Sequence, residues 1–299
     1  MYRFIIVFAL LWTPVSRACD VCGGVSSSSS IGLLAANKFH TFGWRTQYRV
    51  FSSYLEGIRH SREHLLSNEL TFRIQPTERL QIFGQIPYHL NQQVRDFGAD
   101  LVYGMGDPQL LGNYILLHKK DSVQNTRHFL SVGVGVKFPL GKSSTYDNPL
   151  KNLFPGTGAF DLPFVSQYTF GFRGKNSLVS EASFTLRGTD KQGFHFGNVG
   201  GLNSTLVHNH NWKGYRLIYG AGLQADFFGA SKQAGVDLSG RDNAGHSLGL
   251  RVNVLLLTYR WLWGIQLQRP LYQNINAGMT RQQLIANVQL NYLLTKIKQ

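Results

Sequence analysis

The chain has 299 residues and a formal net charge of +14; 15% of its side chains are charged, 13% are aromatic, and 32 residues are glycine. So few charges beside so many rings and glycines argue against a helical bundle and for an all-β protein. The basic excess would suit nucleic acid, but an export leader argues against that partner and points to anionic lipid head groups, lipopolysaccharide or a cationic interior.

Residues 1–18 read as that leader, a signal peptide. Arg3 supplies the positive region, Phe4 to Trp12 the apolar stretch, and Ser16-Arg17-Ala18 a small-x-small cleavage site. The apolar stretch is too short for a spanning helix, which takes about 20 residues, and no later stretch reaches that length without a polar break.

Residues 19–43 form an N-terminal segment with Cys19 and Cys22 in Cys-Asp-Val-Cys-Gly-Gly and a serine run from Ser26 to Ser30. Three chemistries compete for the cysteines: an export-compartment disulfide, a soft-metal pair such as one for copper(I), and lipidation of Cys19. Ser16 stands where a lipidation signal wants Leu, and two thiolates are half of a four-ligand zinc site. The oxidising compartment favours the disulfide or redox pair.

From residue 44 to 299 the hydrophobic period is two, the mark of strands that present one face to an apolar phase. Trp44, Tyr48 and Val50 oppose Arg45, Gln47 and Arg49. Leu130, Val132, Val134, Val136 and Phe138 alternate with Ser131, Gly133, Gly135 and Lys137. The same holds for Phe160 to Phe172, Leu217 to Phe227, Leu248 to Leu256 and Leu284 to Tyr292, with weaker segments near 65–75, 79–89, 107–117, 176–187, 197–210 and 260–269. The spacing therefore predicts a membrane-spanning, antiparallel up-and-down β-barrel of about twelve strands. Many of these segments reach ten residues, longer than the usual 5–6 and matched to the 9–11 that a tilted strand needs to cross a bilayer.

Gln75-Pro76-Thr77-Glu78 and Arg173-Gly174-Lys175-Asn176 read as short periplasmic turns. Gln92 to Met105, Gly141 to Pro155 and Ser231 to Gly245 read as extracellular loops. Trp44, Tyr88, Tyr168, Tyr215, Trp261, Trp263 and Tyr292 fall at strand ends, as two interfacial girdles would place them.

Three segments follow one another: Gly104-Met105-Gly106-Asp107; Lys137-Phe138-Pro139-Leu140-Gly141-Lys142; and Pro155-Gly156-Thr157-Gly158-Ala159-Phe160-Asp161. In that order they resemble the outer-membrane barrels known as transporters of the meta-pathway phenol degradation family, with their G-x-G-D, K-x-P-x-G-K and P-G-T-G-x-x-D motifs. The resemblance covers residues 104–172 and implies a porin-like diffusion channel for small, often hydrophobic compounds. It carries no catalytic residue. Read residue by residue, the motifs need be no more than turn geometry.

Arg or Lys facing lipid at midplane costs about 2–4 kcal/mol. Arg45, Arg49, Glu69, Arg73, Lys137, Glu181, Asp226 and Arg251 are therefore expected on the lumen face, where five cations against three anions suggest a weak preference for anions. His208 and His210 share a strand face and could hold a metal, although rim histidines need no ligand. Ser204 shares that face with His208, but no oriented third group follows from spacing, so no catalytic residue and no enzyme are expected.

The expected function is passive passage of small molecules through the outer membrane, without a cofactor. The expected partners are outer-membrane lipid and lipopolysaccharide, the barrel-assembly machinery and a small-molecule substrate. The alternative is a non-conducting outer-membrane barrel that binds copper or a partner protein through Cys19 and Cys22. The chain also departs from barrel habit at its end, where Tyr292 is followed by seven further residues instead of closing the last strand.

Overall fold

The computed structural model describes residues 40–145, 147–212, 214–237 and 244–294. The leader, the Cys19 and Cys22 pair, the serine run and the last five residues of the tail lie outside the described residues.

The strands are β1 (Thr41–Leu55), β2 (Ile58–Ile74), β3 (Leu80–Arg95), β4 (Gly98–Met105), β5 (Gln109–Asp121), β6 (Thr126–Lys137), β7 (Leu162–Phe172), β8 (Asn176–Leu186), β9 (Phe194–His195), β10 (Val199–Trp212), β11 (Tyr215–Phe228), β12 (Lys232–Gln233), β13 (Val236–Asp237), β14 (Gly245–Leu257), β15 (Trp261–Ile275) and β16 (Thr280–Leu293). Thirteen of them make one antiparallel sheet, closed because β1 pairs with β16 and β2 with β3. β4 and β5 both pair with the same edge of β3, so they are two halves of one interrupted strand and the wall has twelve. The remaining pieces, β9, β12 and β13, form a small sheet of their own.

The break in the β4–β5 strand has a local cause. Pro87 on β3 and Pro108 beside it have no N–H to give to the ladder, and pairing lapses between Gln85↔Gln109 and Tyr88↔Met105. Gly106-Asp107-Pro108 bridges the gap, and Asp107 ends up buried.

The outward face is apolar and exposed, as on β14, where Leu248, Leu250, Val252 and Val254 alternate with buried Gly249, Arg251 and Asn253. A closed sheet with an oily exterior and a polar interior is the arrangement a bilayer demands, since no sheet edge is left without hydrogen-bond partners. Among the described residues, no helix is long and apolar enough to cross a membrane.

At one end of the barrel the connections are short, at 75–79, 122–125, 173–175 and 258–260 and between Trp212 and Tyr215. Thr41 and Leu293 pair there too. The other end carries the hairpin turns 56–57, 96–97 and 276–279 together with the long connections 138–161, 187–198 and 229–244. By the habit of such barrels the short-turn end is the periplasmic one.

Two expectations change. Gln92 to Met105 is no loop: β3 continues to Arg95 and β4 returns from Gly98, a hairpin extension of the wall. Here the outward residues include Gln92 as well as Val94, and the two-faced pattern that marks a strand fades. The seven strand-end rings do not divide between two girdles either. Six stand toward the short turns, and Tyr88 sits in mid-strand at the β3 break. The opposite rim is ringed mainly by phenylalanines, with Phe138, Phe160, Phe184, Phe227 and Tyr272 all exposed.

Candidate functional site in the barrel interior

Inward positions of β1 to β3 and β14 to β16 are dense with long polar side chains. Arg45, Gln47, Glu69, Arg73, Gln81, Arg251, Gln266 and Gln268 are all buried, although no apolar core surrounds them. Arg45 Nε donates to Glu69 Oε2 at 2.8 Å, its Nη2 pairs with the same carboxylate, and Nη2 also reaches Gln85 Oε1 at 3.1 Å. Ser67 Oγ donates to Glu69 Oε1 at 3.0 Å. Arg73 lies over the Phe83 ring, 5.5 Å from its centre.

Across the lumen a second group centres on Asp226. Gln224 Nε2 donates to Asp226 Oδ1 at 2.5 Å and Gln268 Nε2 to Oδ2 at 3.4 Å, while Arg251 Nη2 donates to Gln268 Oε1 at 3.3 Å. Glu181 is buried on the same side. Arg49 lines a central chamber together with Glu69 and Lys137. All eight residues singled out by strand alternation thus lie on the inward side of the wall.

The three glycine-rich motifs meet at the third group, which their reading as separate turns did not foresee. Asp107 Oδ1 accepts from Gly141 N at 2.9 Å, and Oδ2 accepts from Thr157 N at 2.8 Å and Thr157 Oγ1 at 3.0 Å. Lys137 Nζ lies 2.5 Å from Asp161 and 3.3 Å from Asp107, and donates to Thr157 Oγ1 at 2.9 Å. Asp161 Oδ1 accepts from Gly188 N at 3.1 Å.

The glycines are there for space. A Cβ on Gly141 would stand 2.6 Å from the Gly106 carbonyl carbon, and one on Gly156 would stand 2.7 Å from that of Gly141. Three backbones therefore stack against one another, each motif supplying one.

This stack turns the 138–161 connection into the barrel mouth. Its one turn of 3-10 helix, Lys151–Leu153, reaches β3, where Asn91 Nδ2 donates to Leu153 O at 2.7 Å. Leu153 is 1% exposed, held by an inward collar of Phe51, Leu65, Val102 and Ile275. Lys151 Nζ donates to Asp190 Oδ2 and stands 4.4 Å from the centre of the Phe194 ring. It thereby fastens this connection to the 187–198 connection. Burial works to raise the Asp190 pKa, but the Lys151 ammonium and the N–H groups of Phe194 and Gln192 outweigh it, so the carboxyl titrates below its ordinary range.

The chamber beneath the inserted turn has a volume of about 110 Å³ and is lined by Arg49, Glu69, His89, Asp107, Lys137 and Lys151 among others. Lys151 and His89 escaped the sequence reading. Leu150, Leu153 and Phe154, apolar residues inside a supposed polar loop, were the available signal.

The remaining candidates lie elsewhere. His208 faces outward, with Nδ1 2.8 Å from Asn176 Oδ1 and its ring against Tyr219, and the His210 side chain is exposed. No group of three metal-binding side chains occurs among the described residues. Ser204 is hydrogen-bonded to Ser180 at 3.1 Å.

No protein-family model matches the sequence and no curated protein matches it. Among solved structures, an outer-membrane channel from Pseudomonas putida F1 is similar, with a TM-score of 0.66 and 16% identity over 86% of this chain and 96% of that one. The β-domain of the Bordetella autotransporter BrkA is similar at a TM-score of 0.52 and 8% identity, over 86% of this chain and all of that one. At such identities the likeness concerns the fold. The chain folds as an outer-membrane-type β-barrel of twelve strands.

Proposed function

We propose that the protein resides in the outer membrane and is a passive channel for small molecules. The observation that carries this reading is the interior: buried charges set on the inner wall of a closed barrel, around a chamber, beneath a turn inserted from one end. A barrel that served as an anchor alone would have no use for a chamber. The likeness to a Pseudomonas putida channel supports the same reading, and the ordered motif trio supports a place among the phenol-degradation transporters, whose substrates are small and often hydrophobic.

The interior charges do little to choose an ion at mid-barrel. Asp107 and Asp161, which the alternation argument left out, stand against Lys137. Any preference for anions would arise nearer the ends. Outer-membrane lipid, lipopolysaccharide and the barrel-assembly machinery are the partners this reading calls for.

Planar-bilayer recording of the purified chain tests the proposal. Discrete conductance steps are expected, larger once residues 141–155 are shortened. No steps from either form would end the channel reading.

A further inference from the structure

The inner half of the barrel, toward the short turns, has an interior of another kind. Val179, Val207, Ile218, Leu255, Leu257, Leu262 and Leu293 form a buried apolar cluster, although strand alternation places them on the inward face, where a lumen is ordinarily polar. Beside this cluster, among β5 to β8, β10 and β11, lies a second cavity of about 110 Å³.

The floor of this cavity is Phe129, Val179, Val207 and Ile218, each at most 5% exposed. Arg127, Arg216 and His118 also line it, and no Asp or Glu does. Among the described residues neither arginine has a carboxylate within ion-pair distance. Both guanidinium-bearing residues line the one cavity, from β6 and β11.

At about 110 Å³ the cavity is smaller than the apolar cavity of about 150 Å³ that takes up benzene, so the apolar body of its ligand is no larger than a single ring or a short alkyl chain. A neutral hydrocarbon would cover the floor and leave both cations without an anion. An inorganic anion would answer the cations and leave the floor wet. A ligand with both parts satisfies both surfaces, the anion through charge-assisted hydrogen bonds with a planar donor fork.

We infer that this cavity binds a small organic monocarboxylate with an apolar body, the body on the Phe129, Val179, Val207 and Ile218 floor and the carboxylate between Arg127 and Arg216. The inference rests on the channel reading for its route of access, and the binding itself does not depend on conduction.

The test is calorimetric titration of the full chain in lipid nanodiscs, corrected for empty nanodiscs, with benzoate, acetate and benzyl alcohol as probes. Benzoate is expected to bind at least about tenfold more tightly than either of the others, and Arg127→Gln with Arg216→Gln to weaken it by about tenfold, a factor that corresponds to about 1.4 kcal/mol. Acetate binding as well as benzoate would reduce the site to a simple anion site, and benzyl alcohol binding as well would reduce it to a greasy pocket; either result overturns the inference. So would benzoate affinity that the double variant leaves unchanged. The probe series needs no variant, so a double variant that fails to fold still leaves the inference open to refutation. Bilayer recording of the same protein separates the two claims: conductance without benzoate binding removes the site and keeps the channel, and binding without conductance does the reverse.

Discussion

The two halves of the lumen both carry apolar side chains on a face where alternation calls for polar ones, and they treat them differently. In the outer half, the collar of Phe51, Leu65, Val102 and Ile275 is matched by Leu153 of the inserted turn, with Leu150 and Phe154 packed alongside. In the inner half, the Val179 to Leu293 cluster is met by no inserted connection among the described residues and adjoins a cavity edged by arginines. The charges follow the same division. Lys137 and Lys151 in the outer half are answered by aspartates, whereas Arg127 and Arg216 in the inner half have no carboxylate against them among the described residues. The outer half uses Lys137 and Lys151 to hold the chain in place, whereas the two arginines of the inner cavity, unlike Arg45 with Glu69, are met by no carboxylate of the chain among the described residues.

The sharpest way to break that contrast is to remove Asp107. Its carboxylate accepts from two backbone N–H groups and a hydroxyl and faces Lys137, all in a place that water barely reaches. Asp107→Ala leaves the amides of Gly141 and Thr157 without their acceptor and Lys137 with Asp161 alone. Each buried donor left unsatisfied costs about 1–3 kcal/mol, so the two together make this the largest effect. Urea unfolding followed by heat-modifiable gel migration is expected to register a loss of that size. A change under about 1 kcal/mol, the worth of an exposed pair, would mean that the motif cluster is ornamental.

A smaller effect is expected at Gly141, where the constraint is space. Gly141→Ala puts a methyl 2.6 Å from the Gly106 carbonyl carbon and 2.9 Å from Asp107 N, backbone atoms that cannot rotate away. Overpacking of this kind costs about 1–3 kcal/mol. Gly171→Ala, on β7 in the lining of the inner cavity, would meet only side-chain atoms, the nearest being Arg127 Cβ at 3.3 Å and Ser177 Oγ at 3.5 Å, and is expected to stay within about 0.5 kcal/mol of the parent. Equal losses at the two sites, measured by the same urea assay, would remove the distinction between a packed outer half and a roomier inner one.

The sequence discloses these two halves unequally. Long strands are legible because lipid enforces apolar side chains at every second position, and with the strand phase known, Arg45, Glu69, Asp226 and Arg251 can face only inward. What joins Asp107 to Lys137, Thr157 and Asp161 is not legible, because residues 30 to 54 positions apart meet through a backbone stack that no local pattern records. The β3–β4 hairpin is missed where its outward side chains turn polar. The apolar interior at Val207 and Ile218 is missed for a different reason: the adjacent outward positions, Leu206 and Leu217, are apolar too, so alternation gives no contrast to read there.

The smallest effect belongs to the fastening between Lys151 and Asp190, which ties two outer connections and touches the inner half nowhere. The Asp190 carboxyl titrates below its ordinary range in the folded protein, so the folded state favours the charged form. Its contribution to stability is complete above the unfolded pKa, about 3.9, and is lost as the pH falls through the lower folded value. Asp190 also accepts from Gln192 N and Phe194 N, so protonation loosens the turn it caps together with the ion pair. Spin labels placed on the 138–161 and 187–198 connections should therefore hold a narrow distance distribution at pH 5 to 7 and broaden below about pH 4, while labels on the short turns stay unchanged. Asp190→Asn should be broad at every pH. A distribution in the parent that stays narrow through the acid range would show that the Leu153 collar holds the inserted turn without help from the charge.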